Sequence, residues 1–85
     1  THFAVALAYK PGQMAAPVVL AKGQDYVALR IRKIAEDSKV PLVENKPLAQ
    51  TLYKLVDIGE MIPGELFKAV AEVLAYVYKL KKLRL

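Results

Sequence analysis

The stretch at residues 1–10, THFAVALAYK, decides the fold that we expect for this chain. Large apolar side chains at Phe3, Val5 and Leu7 alternate with alanines, so both faces of an extended segment are apolar. A half-exposed strand would alternate apolar with polar residues, whereas this pattern is typical of an interior strand covered on both sides, with the alanines allowing one helix to approach closely. An interior strand has neighbours on both edges. We therefore predict that another polypeptide, or residues upstream, supplies an edge that this sequence lacks.

Composition indicates one folded domain. The 85 residues are 55% hydrophobic and 25% charged, and no apolar run approaches the roughly 18 residues that cross a bilayer. Cysteine is absent, which excludes disulfides, zinc-thiolate sites and thiol catalysis. The net charge of +5 favours an acidic partner such as nucleic acid, anionic lipid or an acidic protein.

Downstream of the first strand, the pattern alternates between strands and helices. Proline and small residues at 11–17 predict an exposed connecting loop, and residues 18–22 predict a second strand. Helical periodicity follows at 24–39, with Val27, Ala28, Ile31, Ile34 and Ala35 on its apolar face. Residues 42–44 predict a short third strand, Asn45 caps a second helix, and a last helix begins at 62–65. This order predicts an α/β layer in which the second and third strands are parallel.

No catalytic set of residues emerges from the sequence. His2 is the single histidine and Ser38 the single serine, whereas metal sites and catalytic triads need further ligands or an orienting group. The glycines are scattered, so no phosphate-binding loop is indicated. We expect no turnover catalysis, no metal and no cofactor.

The chain ends in a basic segment. We predict a basic helical tail over 79–85, following a domain over 1–78, with its charge on Lys79, Lys81, Lys82 and Arg84. A frayed helix end in water is one interpretation. The functional interpretation is a contact with a membrane surface or an acidic partner.

Seven segments carry a resemblance to a known family. They are THFAVAL at 1–7, MAAPVV at 14–19, AKG at 21–23, VPLVE at 40–44, PLA at 47–49, IP at 62–63 and AVAEVLAYVY at 69–78. As an ordered set they resemble the FlhB family, the switch proteins of flagellar and virulence type III export. The MAAP loop and the AYVY ending resemble the flagellar branch more than the injectisome branch.

The resemblance implies a fold and a maturation step. In this family a cytoplasmic domain follows an integral membrane part, at the cytoplasmic face of the bacterial inner membrane, and cuts itself between the asparagine and proline of an Asn-Pro-Thr-His signature. An asparagine amide in a strained turn would attack its own backbone carbonyl in a single turnover, giving a succinimide. Thr1 and His2 match the last half of that signature. Because the two fragments stay associated through shared strands, we expect a small mixed α/β sheet of about four strands, the first from the upstream fragment, packed by about four helices.

The resemblance also implies a function. The domain would dock export substrates and switch export from rod and hook subunits to filament subunits, with other export-apparatus proteins as partners and no nucleic acid. Ala15, Ala16, Pro17 and Val18 match a flexible loop associated with export, which could accept a partner segment; a plain surface connector is the competing interpretation. Without the family, the alternative is a small basic α/β RNA-binding domain, although its cations do not interleave with exposed aromatics. An enzyme is disfavoured by the lack of catalytic residues.

Overall fold

An antiparallel pair of strands lies at the centre of the molecule. The computed structural model describes residues 2–83, in which β1 (Phe3–Ala8) pairs with β2 (Val18–Gln24). The helical elements that follow are α1 (Tyr26–Asp37), α2 (Lys46–Leu55), a 3₁₀ turn (Gly64–Leu66) and α3 (Phe67–Lys82).

One face of the strand pair consists of small residues. Ala4 lies opposite Gly23 and Ala6 opposite Ala21, and α1 packs across both strands on this side. Because no large side chain separates the helix from the sheet, Ala28 of α1 is 3% exposed. The prediction that the alanines of β1 allow a helix to approach closely is confirmed.

The other face carries the large side chains and forms the core. Phe3 meets Tyr53 of α2 edge-on, with 5.4 Å between ring centroids, and Val5 and Leu7 are partly buried against the core. The buried cluster contains Ala16, Val19, Leu52, Val56, Ile62 and Val70. Residues from β2, α2, α3 and two connecting segments therefore share one core on this face.

A bulge in β2 sets which of its side chains reach that core. Leu7 pairs with Val19 but Ala6 pairs with Ala21, so Leu20 is an extra residue. Val19 and Lys22 are three positions apart, a spacing that an unbroken strand would place on opposite faces. The bulge brings both onto the core face.

The outer edge of β2 is occupied by the segment that follows α2. The Val19 N–H donates to the Glu60 carbonyl at 3.0 Å, and the Gly59 N–H donates to the Val19 carbonyl at 2.7 Å. Val18 forms a further antiparallel bridge with Met61. Within residues 2–83, β1 pairs with β2 alone, and its other edge has no backbone partner.

The structure corrects the predicted sheet. Residues 42–44 are not a strand, so the parallel pairing between a second and a third strand is wrong. Residues 59–62 occupy the edge of β2 at Val18 and Val19, and Glu44 forms an ion pair with Arg32 of α1. The described residues contain two strands, three α-helices and one 3₁₀ turn, so four strands and four helices are not confirmed. β1 is half-buried and at an edge within this part of the chain, and a strand supplied from upstream stays a prediction.

The predicted helices agree with the structure better than the predicted strands do. The Asn45 side chain accepts a hydrogen bond from the Leu48 N–H at 3.2 Å, which confirms the predicted cap of α2. The predicted apolar face of α1 is wrong in part, because Val27 and Ile34 are 49% and 58% exposed. The sheet beneath α1 is narrow, and of the residues in this helix only Ala28 is buried.

Candidate functional site: an apolar groove beside α3

The predicted partner-binding loop forms one wall of an apolar groove. The connection between β1 and β2 lies against the first half of α3, and the open groove between them has a volume of about 160 Å³. The groove is lined by Tyr9, Ala15, Pro17, Ile62, Phe67, Val70, Ala71 and Leu74. None of these side chains carries a formal charge.

The four residues singled out in this loop have different positions. Ala15 is exposed at the groove, whereas Ala16 is 5% exposed and belongs to the core. Pro17 is buried and its carbonyl accepts a hydrogen bond from the Ile62 N–H at 2.9 Å. Val18 is the first residue of β2. The prediction of an exposed loop is therefore wrong for Ala16 and Pro17, because their apolar groups fill the space between the sheet and α3.

The groove combines a buried floor with an open rim. Val70 is 0% and Ile62 3% exposed, whereas Phe67 is 47% and Tyr9 38% exposed. A fixed floor and two accessible aromatic rings make a surface suited to one inserted apolar side chain. By comparison, an apolar cavity of about 150 Å³ in another protein holds a benzene molecule.

The backbone of His2 forms two hydrogen bonds with Asp25. Its N–H donates to Oδ1 of Asp25 at 3.1 Å, and the Asp25 N–H donates to the His2 carbonyl at 2.8 Å. The first of these hydrogen bonds lowers the pKa of the Asp25 carboxyl. Asp25 has φ of 53°, a conformation that is uncommon for residues other than glycine. Thr1 lies outside the described residues.

The basic tail continues α3 without a break. Lys79, Lys81 and Lys82 are exposed in the last turns of this helix, and Nζ of Lys82 lies 4.9 Å from the centre of the Tyr78 ring. No boundary between 1–78 and 79–85 is visible in the described part of the helix, and the division stays a prediction. Arg84 lies outside the described residues.

Lys22 is a residue that the sequence interpretation missed. Its Nζ donates to the carbonyls of Tyr53 and Val56 at 2.9 and 3.0 Å, which are orphan carbonyls at the end of α2. The same nitrogen lies 3.7 Å from Oδ1 of Asp57. Because the bulge at Leu20 turns this lysine toward α2, a regular strand pattern gave no signal for its role.

Two further kinds of site are absent from the described residues. Across residues 2–83, no three or more His, Cys, Asp or Glu side chains come together where they could hold a metal ion. Over the same residues, every helix is too short or too polar to cross a membrane.

The sequence of this chain is similar to the sequences of known proteins that share one family name. The profile of the family described as FlhB HrpN YscU SpaS matches residues 1–77. The flagellar biosynthetic protein FlhB of Bacillus subtilis is 54% identical over 82 residues, which are 96% of this chain and 23% of that protein. FlhB of Escherichia coli is 54% identical over 85 residues, 100% of this chain and 22% of that protein. The chain thus spans about a fifth of the length of these curated relatives.

A solved structure shares the fold. The crystal structure of the cytoplasmic domain of FlhB from Shewanella putrefaciens superimposes with a TM-score of 0.91 at 42% sequence identity. The match covers 98% of this chain and 68% of that one. The likeness therefore extends over nearly all of the chain.

Proposed function

This chain belongs to the FlhB HrpN YscU SpaS family, and we propose that it is the part of a flagellar type III export protein that docks export substrates on the cytoplasmic side. In this proposal the parent protein is membrane-embedded at the bacterial inner membrane. After self-cleavage between asparagine and proline, the domain switches export from rod and hook subunits to filament subunits. The apolar groove beside α3 is the observation that carries the docking role.

The groove suits a weak and reversible ligand. An inserted leucine or phenylalanine side chain would bury its surface against Pro17, Phe67 and Leu74 and gain about 1.5–3 kcal/mol. That gain alone corresponds to weak affinity, since a dissociation constant of 1 mM already requires about 4 kcal/mol. Weak binding is appropriate for a protein that must release each subunit for export. We infer that the groove takes a short apolar segment of an early export substrate.

Two substitutions on α3 test docking. Ala71 lines the groove and Ala75 lies one turn further along, and both are exposed. Ala71→Asp would place a carboxylate beside the inserted side chain and weaken binding roughly ten- to a hundredfold. Ala75→Asp adds the same charge to the same helix outside the groove lining, so it should change affinity less than about twofold. The measurement is fluorescence anisotropy with a labelled N-terminal segment of a hook subunit; equal affinities for the two variants would refute docking in the groove.

The open edge of β1 supports the self-cleavage part of the proposal. An unpaired strand edge is a template for another strand, and the upstream fragment would cover it by pairing with β1. The hydrogen bonds between His2 and Asp25 would hold the end of the cleavage turn next to that strand. Asparagine cyclisation requires such a fixed turn, because geometry replaces an external nucleophile.

Intact-mass analysis tests this step. The domain is expressed with its upstream segment, and two co-eluting fragments, one ending in asparagine and the other starting with the proline before Thr1, are expected. The matched control replaces that asparagine with alanine and should give one uncut mass. An unmodified domain that stays uncut on long incubation would exclude self-cleavage and leave the docking test unaffected.

A further inference from the structure

The exposed end of α3 carries an uncompensated positive charge. Lys79, Lys81 and Lys82 lie within four consecutive positions and are all exposed. Among the ion pairs of residues 2–83, none involves these three lysines. No acidic residue follows Glu72 in the sequence. Three lysines without an ion pair among the described residues therefore lie together in the last turns of α3.

Apolar and aromatic groups accompany this charge on the same helix end. Tyr76 and Tyr78 are 53% and 61% exposed, and Leu83 is 83% exposed. The first half of α3 is anchored to the core by Val70, which is 0% exposed, and by the partly buried Leu74. The second half thus presents large apolar groups and lysines to its surroundings without using them for folding.

We propose that this end of α3, defined by Tyr76, Tyr78, Lys79, Lys81, Lys82 and Leu83, binds an anionic lipid surface. Helices that lie at a membrane interface combine lysines with large apolar and aromatic side chains, and tyrosine rings occupy the headgroup region. Lysine is a flexible point charge, which suits a diffuse negative surface better than a partner recognised through a fixed bidentate geometry. The cation over the Tyr78 ring shows that lysine and tyrosine share one surface here.

The distribution of charge favours lipid over nucleic acid. A groove that follows a nucleic acid backbone needs cations along its length, together with aromatic rings on which bases stack. Here Lys79, Lys81 and Lys82 lie in the last turns of one helix and do not form such a line of cations. A cluster of lysines at the end of one helix can contact a flat anionic surface directly.

Vesicle sedimentation with the 85-residue chain tests the proposal. Vesicles of phosphatidylcholine with about a third phosphatidylglycerol are compared with pure phosphatidylcholine at low ionic strength. The tail variant is Lys79→Glu, Lys81→Glu and Lys82→Glu; the control variant carries the same changes at the exposed Lys10, Lys46 and Lys54. Each substitution changes the charge by −2, so three of them take the net charge from +5 to −1 in both variants.

We expect binding to anionic vesicles to fall roughly a hundredfold in the tail variant and only a few-fold in the control variant. Thermal melts followed by circular dichroism establish that both variants are folded; since all six lysines are exposed, folding should be retained. Equal losses in the two variants, no vesicle binding by the unmodified chain, or equal binding to neutral vesicles would overturn the proposal. Stronger binding to polyglutamate or RNA than to anionic vesicles, at equal total charge, would also overturn it, and none of these results bears on the groove.

Discussion

Replacing Gly23 with alanine should separate α1 from the sheet. Gly23 is buried in β2, and a Cβ built on it would lie 2.3 Å from Cγ1 of Val27 and 2.8 Å from its Cβ. Unstrained carbon atoms pack at about 3.5–4.0 Å, so α1 would have to move by about 1 Å. Rotation about χ1 of Val27 would move its Cγ1 but not its Cβ, so the contact with Cβ at 2.8 Å would remain.

The expected cost follows from two opposing effects. Overpacking of this kind costs about 1–3 kcal/mol, whereas the reduced freedom of the unfolded chain returns about 0.4–1 kcal/mol. We expect a net loss of about 1–2 kcal/mol, which lowers the melting temperature of a domain of this size by roughly 4–16 °C. Gly64→Ala is the matched control: no atom lies within 4 Å of its added Cβ, so only the effect on the unfolded chain remains and the fold should be stabilised by about 0.4–1 kcal/mol.

A double-mutant cycle locates the clash. Val27→Ala removes the atom at 2.3 Å and costs little alone, because Val27 is 49% exposed. In that background Gly23→Ala should lose clearly less stability, although the contact at 2.8 Å remains. Thermal and urea unfolding of the four proteins give the coupling energy. The reasoning is refuted if Gly23→Ala melts at or above the temperature of the unmodified chain, or if Val27→Ala does not reduce the loss.

Three further predictions concern the hydrogen bonds that fix the ends of elements. Lys22→Met should destabilise the fold by about 2 kcal/mol in urea unfolding, because two carbonyls at the end of α2 lose their donor. Asp57→Asn should cost less than about 1 kcal/mol, since that carboxylate is 84% exposed. Similar losses for the two variants would mean that the ion pair between Lys22 and Asp57 is the important contact. Asn45→Ala should cost about 1 kcal/mol by removing the cap of α2, and an unchanged melting temperature would contradict this. The lowered pKa of Asp25 means that its carboxylate stabilises the folded chain above about pH 4 and that this contribution is lost as the pH falls through the folded pKa. Asp25→Asn should therefore flatten the acid side of a melting-temperature profile, and an unchanged slope would exclude the contribution.

Local patterns predicted the elements that depend on local interactions. The alternation in β1 predicted two different apolar faces, and Asn45 predicted the start of α2, because each depends on residues that are close in sequence. The ordered motifs predicted the family, which the matches at 54% identity confirm.

The pairing of strands was not predictable in the same way. Residues 42–44 have the composition of a strand, but 59–62 occupy the edge of β2 at Val18 and Val19, and no backbone hydrogen bond joins 42–44 to either strand. Nothing local in 59–62 indicates that this segment pairs, since it contains a turn at Gly59 with φ of 90°. Strand pairing joins residues that are distant in sequence, so local patterns carry little information about it.

The groove was predictable only in part. The loop at 15–18 was singled out from the sequence, but the residues of α3 that line the groove with it were not. The structure shows that α3 contributes to both the core and the groove, because Val70 lies in the core while Phe67 is 47% exposed. Periodicity alone does not distinguish a side chain in the core from one at the rim of a groove.

The occupied edge of β2 also limits how copies of this chain can associate. Residues 59–62 pair with the chain from Pro17 to Val19, so this stretch of the edge is not available to a second copy. The whole of β1, by contrast, has one edge without a backbone partner in residues 2–83. Because unpaired strand edges are where sheets of separate molecules join, we expect two copies to associate through β1 when that edge is uncovered.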